Sequence, residues 1–439
     1  MRTQFSRVYV LTYSSSGPPD IFRLMDLPNE LIKTICDNDE FDIKALKALR
    51  LTNKLLSEFV TKRFAKQSFC NITVLMSRSS LQAFCELSHH PSFGPVVEKV
   101  NLSPMFVPQC GIEGLPTPKT HGTRGAGRSV HRTKSLQSVR RGFLNRMCEE
   151  RETKTFGCAQ RMLAIAFKAF ALRGQWLFLE FWNNEECAIG ANHLLHNEDY
   201  GTQRFWHLEW QTTIESTIKA ASSQGCKIKG LLFCCDGRRQ DTTNYSSLCT
   251  DNIGQSLDFV CSQLTHLEIE FENEDFEATT RSVKRMVSAA HNLKVLRLYE
   301  LSDYDNAERH LYLRDILNCV ASSSLQCIHL GLFQMPESDL FTFLKRYSST
   351  LKELKLLNVC LFTEDCISLI AWIKKNLLSL SHFNLDEFCL HSDRTRCCNE
   401  DDFRDEYLVD HGEDMQARLA DILAGERKMV SSRVEKVDV

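Results

Sequence analysis

Cys389, His391, Cys397, Cys398 and His411 make the one dense cluster of thiols and imidazoles in the chain. Thiolates and imidazoles together hold zinc-class cations, but structural sites use pairs such as C-x2-C facing a second pair. Adjacent Cys397 and Cys398 break that spacing, so no metal is expected there. A second chemical pattern, Gly122-Thr123-Arg124-Gly125-Ala126-Gly127-Arg128-Ser129, has the spacing of a phosphate-binding loop with Arg128 where Lys is required. Such a loop works because it joins a buried strand to a helix, so that its N–H groups converge on phosphate. Here Pro116-Thr117-Pro118 precedes it, and the match is read as coincidence. Neither a Gly-x-Ser-x-Gly elbow nor an H-E-x-x-H helix occurs. His89, His90, His329 and His382 sit where a structural role is the commoner explanation, and Cys234-Cys235 reads as the end of a buried strand. No catalytic residue, cofactor or metal is therefore assigned. A hydrolase or nucleotide-dependent enzyme with its site within 156–385 remains an alternative.

Composition narrows the classes further. The 439 residues are 43% hydrophobic and 25% charged, ordinary globular chemistry sufficient for more than one structural unit. A net charge of -3 supplies no bulk attraction to nucleic acid or acidic membranes. The segment 114–148 carries eight Lys or Arg and no Asp or Glu, but only Phe143 to stack on a base, so nucleic-acid binding is not expected. No run reaches the ~18 apolar residues of a spanning helix. The 19 cysteines follow no framework and no secretory core precedes them, which points to a reducing compartment, cytoplasm or nucleus.

The elements follow from pattern. Residues 1–23 read as a flexible leader containing Ser14-Ser15-Ser16-Gly17-Pro18-Pro19. Pro28 suits the first turn of a helix whose apolar face is Leu31, Ile32 and Ile35. Asp42 is placed to cap a second helix with Ile43, Leu46 and Leu49, and Asn53 a third with Leu55, Leu56, Phe59 and Val60. Each is too short to be stable alone. Beyond a basic loop or linker over 108–155, strands are expected at 176–181 and 228–233, between helices near 156–172 and 205–223. A repeat then becomes explicit: Leu264-x-x-Leu267-x-Ile269, Leu293-x-x-Leu296-x-Leu298, Leu325-x-x-Ile328-x-Leu330, Leu351-x-x-Leu354-x-Leu356 and Leu380-x-x-Phe383-x-Leu385. The first positions fall 29, 32, 26 and 29 residues apart, close to the leucine-rich repeat range. The Asn characteristic of such repeats is present only as Asn358. An ordinary α/β domain whose buried strands share this spacing is the alternative. The tail 392–439 is acidic, with a possible capping helix through Met415, Leu419, Ile422 and Leu423.

Leu27-Pro28-Asn29-Glu30-Leu31-Ile32, followed by Asp42-Ile43-Lys44-Ala45-Leu46 and Leu49-Arg50-Leu51-Thr52, resembles an F-box. The continuation through Leu81-Gln82-Ala83-Phe84, His89-His90-Pro91-Ser92-Phe93 and 96–102 resembles the segment after the F-box in fungal proteins of that family. An unrelated three-helix unit is the alternative. The expected fold is α/β, an N-terminal three-helix F-box at 24–64 followed by an irregular leucine-rich-repeat-like solenoid at 156–391, with 65–107 connecting them. The resemblance implies the substrate-recognition subunit of an SCF-type cullin-RING ubiquitin ligase, bound to a Skp-family adaptor. Leu27, Pro28, Leu31, Ile32, Ile35, Leu46 and Leu49 match the motif positions and are the expected adaptor contacts or the unit's own small core. Target protein is expected on the strand positions flanking the apolar ones. These are His266, Glu268, Glu270, Val295, Arg297, Tyr299, Cys327, His329, Gly331, Glu353, Lys355, Leu357, His382, Asn384 and Asp386. Glu268, Glu270, Arg297, Tyr299, His329, Lys355, Asn384 and Asp386 are singled out as binding residues. A protein-interaction scaffold outside any ligase is the competing function.

Overall fold

The computed structural model describes residues 27–37, 41–106, 157–182, 189, 207–208, 210–234, 251–271, 276–300, 309–362, 366–386, 389–390, 407–409 and 424. The basic segment 114–148, the leader, His391, Cys397, Cys398 and His411 lie outside them, as does nearly all of the acidic tail. The chain divides into two units, residues 1–68 and 69–439.

The first unit is helical: α1 (Asn29–Cys36), α2 (Ile43–Thr52) and α3 (Lys54–Phe69). The Asp42 side chain accepts a hydrogen bond from the Ala45 N–H at 2.7 Å, capping α2 as its sequence anticipates. The Asn53 side chain accepts a hydrogen bond at Oδ1 from the Leu55 N–H at 2.7 Å at the start of α3. Ile32, Cys36, Leu46, Leu56 and Val60 meet in a small closed core, with Leu27, Leu49 and Phe59 packed around it.

The second unit is an α/β sheet. Its strands are β1 (Asn71–Leu75), β2 (Lys99–Ser103), β4 (Trp176–Phe181), β6 (Lys227–Phe233), β7 (His266–Phe271), β8 (Val295–Glu300), β9 (Cys327–Gly331), β11 (Glu353–Leu357) and β13 (His382–Asp386). They lie side by side in chain order, all parallel, and a tenth strand, β15 (Tyr407–Val409), closes the far edge against β13 in the antiparallel sense. Between the strands run α4 (Arg78–His89), α5 (Cys158–Leu172), α6 (Trp210–Ser223), α7 (Asp251–Cys261), α8 (Phe276–Ala289), α9 (Arg309–Asn318), α10 (Glu337–Lys345) and α11 (Cys366–Asn376). Successive helices touch one another, forming a single layer; Phe341 and Trp372 stack at 4.6 Å between the last two. Two smaller sheets flank the large one. In one, β3 (Met105–Phe106) pairs with β5 (His207–Leu208); the other joins β10 (Gln334–Pro336), β12 (Cys360–Phe362) and β14 (Cys389–Leu390).

Alternation along each strand decides which side chains are covered. In β8, Leu296 and Leu298 point into the helix layer and are fully buried, while Val295, Arg297 and Tyr299 are half-buried on the other face. The same parity puts Ile72, Val100, Leu179, Leu231, Leu267, Ile328, Leu354 and Phe383 in one core that runs the length of the sheet. A backbone line reinforces the entries to the strands. Thr265 N–H donates to Lys229 O, Lys294 to Thr265 O, Gln326 to Lys294 O, Lys352 to Gln326 O and Ser381 to Lys352 O, each at 2.8–2.9 Å. Leu332 (φ 64°) and Asn358 (φ 52°) turn the chain from β9 and β11 into the three-stranded sheet. Asn tolerates that left-handed conformation, whereas Leu adopts it at a steric cost.

These facts correct the expected architecture. The chain from Asn71 onward does not form a connecting segment over 65–107 followed by an irregular leucine-rich-repeat-like solenoid at 156–391. It forms one α/β sheet with nine parallel strands, beginning at β1 and β2 in the stretch expected to connect two parts. The physical reason is that Leu-x-x-Leu-x-Leu reports a buried parallel strand and the buried residue ahead of it. It carries no information on how many strands share a sheet. β1 and β2 carry the same spacing without a leading leucine, as Phe69-x-x-Ile72-x-Val74 and Val97-x-x-Val100-x-Leu102, and pair in the same way.

Candidate functional site

The face of the sheet away from the helices carries the chemistry. Strand register aligns its side chains in rows that cross every strand. One row reads Asn71, Lys99, Phe178, Gly230, His266, Val295, Cys327, Glu353, His382. The next reads Thr73, Asn101, Glu180, Leu232, Glu268, Arg297, His329, Lys355, Asn384. A third, shorter row is Glu270, Tyr299, Gly331, Leu357, Asp386. Glycine is needed in two of these rows. A Cβ at Gly331 would lie 2.5 Å from the Tyr299 ring, and one at Gly230 would lie 2.3 Å from Phe178. Each glycine lets a neighbouring aromatic ring lie flat across its strand.

At the centre, side chains from β8, β9 and β11 form one connected set. His329 Nε2 lies 2.9 Å from Glu353 Oε1 and 3.3 Å from Cys327 Sγ, and His329 Nδ1 lies 3.3 Å from the Tyr299 hydroxyl. Lys355 Nζ is 3.1 Å from the same Glu353 oxygen. On the adjoining strands Arg297 Nη1 donates to Glu268 Oε2 at 3.0 Å. His329 is 3% exposed and Cys327 7%, so both are covered by their neighbours although they belong to the open face. Burial holds His329 down at about 4, against the pull of Glu353. Glu353 stays ionised: burial alone would raise its carboxyl, but hydrogen bonds from His329 and Lys355 bring it to about 2. A neutral imidazole beside a carboxylate donates from Nε2, and its Nδ1 then accepts from Tyr299. Burial pushes the Cys327 thiol up to about 12 and the Tyr299 hydroxyl up to about 12.

This set is not a nucleophilic triad. Cys327 and Glu353 both meet the same imidazole nitrogen, so the ring has no free base aimed at the thiol. The thiol is held protonated, opposite to an activated cysteine. What the arrangement offers is a group of S, N and O atoms within 4.8 Å of one another that suit a cation.

At the start of the face a cleft of about 210 Å³ is lined by Asn71, Ile72, Thr73, Lys99, Asn101, Glu180 and Trp182. Lys99 Nζ and Glu180 Oε1 pair at 2.6 Å across it. It is smaller than the pockets that enclose drug-sized molecules.

Of the residues expected to meet a target, Glu268, Arg297, Tyr299, His329 and Lys355 are brought together in this region. Glu270 and Asn384 lie on the same face; Asp386 ends β13, with its side chain outside the described residues. His329 is too enclosed to present itself and instead supports Tyr299 and Glu353. Cys327 and Glu353 were placed on the face by alternation but not singled out. Their closeness depends on the register that sets Glu353 opposite Cys327, which no single strand records. Lys99 and Asn101 were missed because 65–107 was read as a connection, and Glu180 because its strand, expected at 176–181, was given no outward face.

In the helical unit the expected adaptor residues fall into two groups. Ile32 and Leu46 are fully buried in the unit's own core, and Leu27 and Leu49 are partly covered. Pro28 is exposed, Leu31 is 50% exposed and Ile35 37%; on α2, Ile43 and Leu51 are also exposed, at 44% and 81%.

No family model and no curated protein matches the chain. Among solved structures, tryptophan synthase from M. tuberculosis, in an open form with BRD0059 bound, is similar at 10% identity over 68% of this chain and 87% of that one. Its TM-score of 0.19 carries no argument about fold or activity. No described helix is long and apolar enough to cross a membrane.

Proposed function

We propose that the chain is the target receptor of an SCF-type cullin-RING ubiquitin ligase, with α1–α3 acting as an F-box that docks a Skp-family adaptor and the open sheet face receiving the target protein. The observation that carries this reading is the partition of apolar residues in the helical unit. Ile32, Leu46, Leu56 and Val60 close its core, while Leu31, Ile35, Ile43 and Leu51 are left outward. Outward apolar side chains on so small a unit are the mark of a partner surface.

The open face supports the second half. It mixes both charge signs in three rows. In the middle row Asn101 Oδ1, Arg297 Nε and Asn384 Oδ1 are buried atoms that meet no hydrogen-bond partner among the described residues. An incoming chain or water must satisfy them. The receptor performs no bond chemistry. It raises the effective concentration of target lysines beside a ubiquitin-charged enzyme. Cytoplasm or nucleus is the compartment this role requires.

The test is capture of purified Skp-family adaptor by the full chain. Leu31→Asp with Ile35→Asp is expected to abolish capture and leave thermal unfolding unchanged, since neither side chain closes the core. Failure of the wild type to capture adaptor, or equal capture by the double variant, overturns the reading.

A further inference from the structure

We propose that Cys327 Sγ, His329 Nε2 and Glu353 Oε1 form a binding site for a zinc-class divalent cation on the open face of the sheet. The three residues come from two adjacent parallel strands. Cys327 and His329 are two apart on β9 and so share a face, and Glu353 stands directly opposite Cys327 on β11. Their ligand atoms all lie within 4.8 Å of one another. A tetrahedral zinc ion with bonds of about 2.3 Å to sulfur and about 2.0 Å to nitrogen holds those two atoms about 3.5 Å apart. Cys327 Sγ and His329 Nε2 are 3.3 Å apart. His329 Nε2 and Glu353 Oε1, at 2.9 Å, need separate by only a few tenths of an ångström to admit the ion.

The surroundings fit. A metal-bound imidazole gives its other nitrogen to a hydrogen-bond partner, and Tyr299 stands 3.3 Å from Nδ1. On binding, the Cys327 thiol proton leaves to solvent and the imidazole proton moves from Nε2 to Nδ1, where it is donated to the Tyr299 oxygen. Thiolate, carboxylate and dication sum to zero charge. The Arg297–Glu268 pair and Lys355 therefore face a neutral group, and Lys355, on the open side, can turn its ammonium to water. Three protein ligands leave one coordination position open to solvent or to an atom of a bound molecule. This site stands independently of the ligase reading, because nothing in it involves α1–α3.

Cobalt tests it. The full chain, stripped with chelator and dialysed, is titrated with Co²⁺ alone, following the near-ultraviolet thiolate-to-cobalt band and total bound metal. The wild type is expected to take up one equivalent more than Cys327→Ser and to show a band that this variant lacks. Glu353→Gln is expected to weaken that equivalent by about tenfold or more, and Tyr299→Phe by about tenfold with stoichiometry kept. Cys319→Ser is expected to match the wild type. Circular dichroism confirms folding, and Glu353→Gln, at a half-exposed position, decides the matter if Cys327→Ser does not fold. Equal cobalt uptake and equal bands in wild type, Cys327→Ser and Glu353→Gln, or no uptake by any of them, overturn the proposal.

Discussion

His329 shows how a single side chain acquires its state from rows rather than from its own strand. Enclosure lowers its affinity for protons, while Glu353 and Tyr299 fix which nitrogen carries the one it keeps. The consequence is a pH dependence of stability with a definite sign. The free imidazole titrates near 6.5 and the folded one at about 4, so between those values the unfolded chain binds more protons than the folded one. Stability contributed by neutral His329 is complete above 6.5 and is lost as pH falls to about 4. Glu353 adds a second loss between its ordinary 4.5 and about 2. In the chelator-treated chain the midpoint of thermal unfolding is expected to fall from pH 6.5 to 4, and His329→Gln is expected to flatten that part of the profile relative to wild type. Equal slopes in the two proteins would remove His329 from the account.

At the scale of elements, α1 divides its work between adjacent residues. Ile32 is wholly enclosed, and Leu31 beside it is half exposed, because consecutive positions on a helix point about a hundred degrees apart. Ile32→Ala is expected to destabilise the helical unit by about 2–5 kcal/mol, whereas Leu31→Ala stays within about 0.5 kcal/mol. Chemical denaturation followed by circular dichroism separates the two. Much of this level was legible in sequence. Asp42, Asn53 and the apolar spacing placed α2 and α3, and alternation in β7, β8, β9 and β11 named the outward residues. The sheet's extent was not legible. β1 and β2 are as long as β9, β11 and β13, but their entries, Phe69-x-x-Ile72 and Val97-x-x-Val100, carry no leucine to mark them as members of the series. The Cys327–His329–Glu353 set was equally hidden, since register between strands is settled by pairing and packing across the whole face. Gly331 gave no hint of the Tyr299 ring above it.

At the scale of the molecule, the two ends of the large sheet are unlike. β1 begins it, and at the other end β15 returns to cover the outer edge of β13. An uncovered parallel edge is a template for another chain. A chain ending at residue 400 is therefore expected to self-associate more than the full chain, with a larger concentration-dependent shift in size-exclusion chromatography; identical elution would mean that the edge is protected otherwise. The side-by-side order of β1 to β13 also bears on how the protein is made. Strands emerge from the ribosome in the order in which they pair, so each finds its earlier neighbour already built. The nascent sheet always ends in its newest strand, a raw edge that advances with translation. Only the last of the ten, running backward, brings that growth to a stop.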